Sequence, residues 1–359
     1  MPGTRRDTWG TAWAVVKPAR LDHNSRGEAV SGRLSPLLQE ARLRTVASRP
    51  SRFLIAGASA LMVLAGCSAS APAATSTPSS SPSAAEAGGS SWKQIFSADF
   101  SGAAGSGLNT SVWKYDTGRG IFGTGEVEAM TNSTANAHLD GHGDLDMVVL
   151  GHGAAGDSTS NWTSSRIQTQ SSAFGAPAGG EMMVTASIKQ PEPASGLGYW
   201  PGFWMLAPSG WPKTGEIDIM EDVDGYGKLS GTLHCGNLTQ ENSDGTFGPC
   251  HEKTGLGSGL VACTGCEQGF HTYSVVVDRR NADAQQIRWY LDGHEYFSLS
   301  ETQIGTSAWD AAVDHGFSIL LSVAVGGSYP DSACNCSTPT DSTSSQGTMV
   351  VKDLSVLTN

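Results

Sequence analysis

The chain has 359 residues, 45 of them glycine, and a formal net charge of −12. That length holds one large or two medium domains, and abundant Gly, Ser and Thr with few Leu argue for a single all-β domain rich in turns over any helical bundle. Residues 1–66 hold ten of the 22 basic and four of the 34 acidic residues, so the remainder carries 12 against 30, a formal −18 that argues against nucleic acid, anionic lipid and sulfated or uronic polymers as partners.

Residues 1–41 are rich in Arg without a clear apolar period and are read as an extension ahead of the functional start, which is expected nearer Val46. Arg49 and Arg52 then precede an apolar run, 53–65, too short and too rich in Gly and Ala for a membrane span but suited to the core of a signal peptide spanning 42–67. It ends Leu64-Ala65-Gly66-Cys67, which is similar to a bacterial lipobox; Cys67 would be lipidated and become the mature N-terminus. The plainer alternative is a secretory signal with an incidental cysteine. Either way the protein is expected to be exported, as a cell-surface lipoprotein or a secreted protein, meeting the membrane only through that anchor. Residues 68–90, almost wholly Ser, Ala, Pro, Thr and Gly, cannot bury a core and form a tether to a folded domain over 91–359.

Within that domain, short apolar runs between Gly, Asn and Asp punctuation predict strands over 182–189, 216–221, 272–278, 287–291, 295–299, 317–325 and 349–357, with one short helical stretch over 301–313. Asp292-Gly293 is a hairpin turn. Two curved antiparallel sheets packed face to face follow from this pattern. His138, His142 and His152 lie among Gly and Asp and are read as solvated loop residues, not as a metal site.

The segment Glu216-Ile217-Asp218-Ile219-Met220-Glu221 is the most informative. Side chains on a strand alternate faces, so Glu216 and Asp218 share one surface, and Glu221 falls on the other unless an extra residue is accommodated. A β-bulge at Ile219-Met220 would bring all three carboxylates to one surface, with Ile217 and one of Ile219 or Met220 in the core. The simpler alternative is an ordinary half-exposed strand with a solvated acidic face. Against it stand Trp200, Trp204 and Trp211 just upstream, whose indole faces can stack on the apolar faces of pyranose rings. Carboxylates beside aromatic platforms suggest a sugar cleft, and the acidic body favours a neutral glycan.

Cleaving a glycosidic bond needs one carboxyl to protonate the leaving oxygen and another to attack the anomeric carbon, about 5–5.5 Å apart in retaining enzymes. Along a flat strand Glu216 and Glu221 would stand roughly 13 Å apart, so the sheet must curl to bring them together. Mutual repulsion among three carboxylates should raise the pKa of one, and the acid/base benefits; Glu221 is expected to be protonated at rest.

Apart from Cys67 there are six cysteines, an even set that suits an oxidising compartment. Cys235 with Cys250, closing a loop beside His234, and Cys263 with Cys266 are the expected disulfides, leaving Cys334 and Cys336, whose one-residue spacing makes a strained ring. A zinc site built from Cys263 and Cys266 with Cys334 or Cys336 is the rival reading.

The runs Tyr199-Trp200-Pro201-Gly202-Phe203-Trp204-Met205-Leu206 and Trp211-Pro212-Lys213-Thr214-Gly215 leading into Glu216–Glu221 resemble glycoside hydrolase family 16, in its bulged, laminarinase-like branch. Thr163-Ser164-Ser165-Arg166-Ile167, Gly231-Thr232-Leu233-His234, Phe270-His271-Thr272-Tyr273, Trp289-Tyr290-Leu291-Asp292-Gly293 and Val325-Gly326-Gly327 match further family segments in family order. The resemblance covers about Ser91 to Asn359 and implies a β-jelly roll with the cleft on its concave sheet. It implies Glu216 as nucleophile, Glu221 as general acid/base and Asp218 as the residue that tunes and orients the nucleophile. Arg166, Asn136, Glu126 and His234 would line the groove and bind sugar hydroxyls; their ordinary readings are a surface ion pair for Arg166 and a packed strand-end histidine for His234.

The implied activity is endo-hydrolysis of β-1,3-glucan or mixed β-1,3/1,4-glucan with retention, by a monomer that needs no cofactor. β-1,3-Galactan or agar as substrate, transglycosylation, and a glycan-binding module without activity are the alternatives. The family often binds a structural calcium through an Asp near the end of the last strand. Here that position is Lys352, with Asp353 beside it, so calcium is not expected unless a register shift lets Asp353 serve.

Overall fold

Alternating apolar side chains pair the strands into two eight-stranded sheets, and burying their facing surfaces against each other makes the core. The computed structural model describes residues 91–151, 161–192 and 196–359, all within one unit that spans 78–359. The extension, the signal segment, Cys67, the tether and His152 lie outside the described residues.

The first sheet runs in the order Leu256–Gly257, Lys228–His234, Glu216–Glu221, Tyr199–Leu206, Ser318–Val325, Arg166–Thr169 and Trp113–Tyr115, with Val261–Ala262 also on Lys228–His234. The second runs His294–Ser300, Gln286–Leu291, His271–Asp278, Glu181–Lys189, Thr348–Thr358, Leu145–Val148 and Ala137–Leu139, with Lys93–Ala98 also on Thr348–Thr358. All pairings within both are antiparallel, so the all-β two-sheet sandwich expected from the pattern, the jelly roll that the resemblance implies, is the observed architecture. Each of the seven predicted strands is present within a residue or two of its expected ends. Asp292 and Gly293 both adopt positive φ, 51° and 77°, the conformation of a two-residue hairpin turn.

Several elements escaped the pattern. The Tyr199–Leu206 strand sits in mid-sheet although it contains Pro201. The Pro201 carbonyl accepts the Asp222 N–H at 3.3 Å, just past the last pair with the neighbouring strand, Gly202 opposite Glu221. Since N–H and C=O of a strand residue point the same way, the donor that proline lacks would face the ladder's end. The predicted helix over 301–313 is two, Glu301–Ile304 and Thr306–Val313, divided at Gly305 with φ 91°. A further helix, Ser328–Cys334, follows Gly326-Gly327. His138 is on a strand and pairs with Asp146 at 3.6 Å, so it is not a loop residue.

The cysteines pair as Cys235–Cys250, Cys263–Cys266 and Cys334–Cys336. These pairings engage the thiols that the zinc alternative requires.

Glu128 is a charge-bearing group in an apolar place. It is 1% exposed; one carboxylate oxygen accepts the Val325 N–H at 2.8 Å, and the other finds no hydrogen-bond partner among the described residues. Burial pushes its pKa up to about 7. The folded state therefore holds this proton more tightly than the unfolded chain, and stability falls as pH rises from the ordinary carboxyl range through neutrality. Glu128→Gln should raise the unfolding free energy by about 1–3 kcal/mol at pH 8 and leave it nearly unchanged at pH 4. Chemical denaturation at the two pH values checks this, and an equal effect at both would contradict it.

Candidate active site

The acidic strand pairs with Tyr199–Leu206 in a register that slips once: Phe203 faces Met220, and Trp204 faces Asp218, making Ile219 the extra residue. On the other side Asp218 faces Thr232 and Glu221 faces Ser230, again with one residue too many on the acidic strand. Ile217, Ile219 and Met220 are all fully buried in the core. Both bulge residues thus anchor the strand, where one was expected. Two consecutive side chains on the same side is what a bulge permits.

The bulge leaves backbone oxygens that the ladder does not pair, and the opposite sheet supplies the donors. The Trp289 indole N–H donates to the Asp218 carbonyl at 2.8 Å, and the Tyr296 hydroxyl donates to the Ile219 carbonyl at 3.3 Å. Gly231 makes room for both: a Cβ there would stand 2.5 Å from Trp289 Cδ1 and 2.8 Å from the Tyr296 oxygen. Glycine is needed here for space, as these contacts leave no volume for a methyl group.

Burial is the leading cause of the raised pKa at each of the three carboxyls. It lifts Glu216 to about 7, with Glu221 adding repulsion while His234 and Arg166 oppose the rise. Asp218, 3% exposed, is pushed well above the ordinary range by burial and then by repulsion from Glu221 and Glu216. Glu221 is raised by burial, against the hydrogen bond from the Trp200 indole N–H at 2.8 Å. The expectation that repulsion singles out Glu221 needs correction: desolvation lifts all three carboxyls.

His234 lies opposite Glu216 on the next strand. Its Nε2 stands 3.5 Å from Asp218 Oδ2 and 3.9 Å from Glu216 Oε1, and its Nδ1 is 2.8 Å from Glu252 Oε2. Burial disfavours charge on the ring, but the Glu252 hydrogen bond and the Asp218 and Glu216 charges prevail and raise its pKa to about 10. Ligand atoms of Glu216, Asp218 and His234 fall within 4.8 Å of one another, a spacing that could admit a cation. An imidazolium offers protons and no lone pair, and in that state the trio is a proton-sharing network.

The other predicted residues divide. Trp200 borders Glu221 and meets the edge of Tyr329, 5.6 Å between ring centroids. Trp211 is 44% exposed and stands 5.7 Å from the His234 ring, as a sugar platform would. Trp204 is only 7% exposed; the Arg166 guanidinium lies 4.7 Å from its ring and equally 4.7 Å from that of Phe122, so this face is covered by protein. Arg166 is not a surface ion pair: it is 8% exposed and pairs with Asp116 at 3.2 Å. It also lines a cavity of about 530 Å³ with Lys114, Asp116, Gln168, Leu206 and Ser318, beside the carboxylates but not including them.

Asn136 and Glu126 do not line a groove. Asn136 is 2% exposed, its amide donating to the Val148 carbonyl and to Thr163, its oxygen accepting from Thr131. Glu126, 6% exposed, accepts the N–H groups of Phe122 and Thr124 and the Thr124 hydroxyl. Asn136 spends its polar atoms on the Val148 carbonyl and the Thr131 and Thr163 hydroxyls, and Glu126 spends its own on N–H and hydroxyl groups nearby in the chain. Lys352 does not fit a calcium ligand either. It has no oxygen to offer from its side chain, and its ammonium lies 5.7 Å from the Phe270 ring centroid, while Asp353 is exposed at a kink with φ 53°.

Residues that no motif pointed to are Glu252, Trp289 in its bracing role, Tyr296 and Tyr329. Tyr329 lies on the Ser328–Cys334 helix, hydrogen-bonds Ser230 at 3.0 Å and supports Trp200 from the side. Only Trp289 and Gly231 fall within recognisable segments.

Comparison with known proteins agrees with this geometry. The family model described as "XgeA-like, catalytic GH16 domain" matches residues 123–274. A glucan endo-1,3-β-glucosidase A1 of Niallia circulans is 28% identical over 259 residues, covering 66% of this chain and 34% of the relative, so the chain spans about a third of that protein's length. A β-glucanase of Rhodothermus marinus is 26% identical over 66% of this chain and 77% of its own. Among solved structures, the endo-1,3-β-glucanase from Streptomyces sioyaensis is 40% identical with a TM-score of 0.67, over 76% of this chain and 99% of that one. With that identity across nearly the whole of a solved relative, and the acidic bulged strand at the centre of the matched sheet, this chain belongs to glycoside hydrolase family 16.

Proposed function

We propose that the protein is a retaining endo-hydrolase of β-1,3-glucan, with mixed β-1,3/1,4-glucan as a further substrate, Glu216 as nucleophile and Glu221 as general acid/base. The observation that carries this reading is the one-residue slip at Ile219, which puts Glu216, Asp218 and Glu221 on one face between the exposed Trp211 and the indole N–H of Trp200. The glucanases among its relatives support the choice of glucan.

In the first step a Glu216 oxygen attacks the anomeric carbon, the bond from that carbon to the leaving oxygen breaks, and the Glu221 proton passes to the departing sugar. In the second, Glu221 takes a proton from water, the water oxygen attacks the same carbon, and the bond to Glu216 breaks. Two inversions preserve configuration. Burial and the neighbouring Glu221 and Glu216 charges raise the Asp218 carboxyl, and its Oδ2 stands 3.5 Å from His234 Nε2, where it orients the ring that faces Glu216. Trp200, bonded to one Glu221 oxygen, leaves the other free to meet the glycosidic oxygen.

Sugar release from laminarin, lichenan, agarose and β-1,3-galactan, assayed side by side, tests the substrate. Release from laminarin with the β-anomer formed first is expected; inversion would overturn the mechanism, release from galactan or agarose alone the substrate, and binding without release from any of them the enzyme reading. Trp211→Ala should raise KM for laminarin roughly tenfold, about the value of one aromatic stacking contact, with kcat little changed. A fall in kcat at constant KM would remove Trp211 from the binding surface. The disulfides fit an exported protein. We extend the proposal to a lipid-anchored or secreted monomer, which mass spectrometry of the mature N-terminus and gel filtration would test.

A further inference from the structure

Glu252 belongs to none of the motifs, yet its carboxylate is wholly buried beside the carboxyl cluster. One oxygen accepts the His234 Nδ1–H at 2.8 Å, and the other accepts the Cys235 backbone N–H at 2.8 Å. Its own backbone exchanges two hydrogen bonds with Phe247, both at 2.7 Å, and the Cys235–Cys250 disulfide closes the chain between them. Gly255 lets this loop close on the histidine, since a Cβ there would stand 3.0 Å from His234 Cε1 and 2.5 Å from Thr232 Cγ2. The carboxylate is therefore held from three directions and aimed at one imidazole.

The groups facing that imidazole are Glu216 and Asp218 from the adjacent strand, Glu252 from the loop, and the uncharged Trp211 ring. We propose that Glu252 is a positioning residue for the nucleophile: by committing the Nδ1–H of His234, it fixes the ring so that an Nε2–H points at the gap between Glu216 and Asp218 and keeps Glu216 anionic and oriented. The disulfide-closed loop then has a catalytic purpose, since it carries Glu252 under the histidine from outside the sheet. This inference rests on the assignment of Glu216 as nucleophile, and one of its readouts does not depend on hydrolysis.

In the purified full chain, Glu252→Gln can still accept the Cys235 N–H, but its amide cannot hold a cationic ring. Laminarin turnover should fall by roughly 10²-fold in kcat with KM within threefold, the cost of a misplaced reacting group. The acid limb of the kcat/KM profile, which reports ionisation of Glu216, should move up by about one pH unit as the cation beside it is lost. Separately, NMR titration of His234 should show a ring that stays protonated through pH 8 in the parent protein and becomes neutral below pH 8 in Glu252→Gln. A parent His234 that loses its proton below pH 7 overturns the proposal even if the variant does not fold. So does a variant whose acid limb and His234 titration both match the parent's. If the titrations behave as expected while the parent releases no sugar, the Glu252 arrangement stands and the hydrolase reading fails.

Discussion

Glu216→Ala should leave no measurable cleavage of laminarin or of an activated aryl glycoside, while Glu221→Ala should lose roughly 10²–10⁴-fold on laminarin and far less on the aryl glycoside. The contrast follows from the two steps. Removing the nucleophile blocks formation of the glycosyl-enzyme whatever the leaving group, whereas a good leaving group needs no proton, so the acid variant still forms the intermediate and stalls before water. Azide, a small anion that needs no general base, should then accelerate Glu221→Ala and give a β-glycosyl azide. Glu216→Ala should give no β-azide. Both side chains sit on a strand anchored by Ile217, Ile219 and Met220, all fully buried, so neither truncation removes core volume and the folded state should persist in circular dichroism. A β-azide from Glu216→Ala with none from Glu221→Ala would exchange the two roles.

The second large effect concerns a residue that touches no substrate. Gly231→Ala should destabilise the fold by about 1–3 kcal/mol for the overpacked methyl, and by a similar amount if the Trp289 indole is forced off the Asp218 carbonyl. The Cβ would enter space held by Trp289 Cδ1 at 2.5 Å, and the indole N–H it displaces is the donor that satisfies the bulge. Activity should fall by at least tenfold more than heat-inactivated fraction alone accounts for, because Glu216 and Glu221 depend on the slip for their common face. Trp289→Phe separates the causes: it keeps an aromatic ring under Gly231 but has no N–H, leaving the Asp218 carbonyl unpaired. If Gly231→Ala matches the parent in melting temperature and turnover, the bulge is held by something other than these contacts.

How far the site could be read from sequence depends on the range of the interactions. The acidic hexapeptide announces itself because period-two alternation is local: carboxylates at offsets zero and two must share a face, and a third at offset five needs an extra residue. Cys235–Cys250 and Cys263–Cys266 were within reach because the partners are 15 and three residues apart, whereas Cys334–Cys336 was left open by its one-residue spacing. Asn136 and Glu126 misled because residue type does not tell where polar atoms are spent. Glu126 satisfies N–H groups two and four residues away, Asn136 the Val148 carbonyl and the Thr131 and Thr163 hydroxyls, and that economy is visible only once the chain has turned back on itself. The Tyr199–Leu206 strand was missed as a strand because Pro201 and Gly202 suppress the pattern, although its missing donor falls where no partner strand continues.

Composition and alternation determined that this chain is an all-β sandwich with a face of three carboxylates near indole rings, since turn-rich segments of period two can bury their apolar sides in few other ways. Tertiary structure alone decided which donors hold the bulge, that Glu252 stands behind His234, and that burial raises all three carboxyls together. Each of those depends on contacts between segments tens of residues apart, and on burial, which is a property of the assembled sheets and not of any one stretch of sequence.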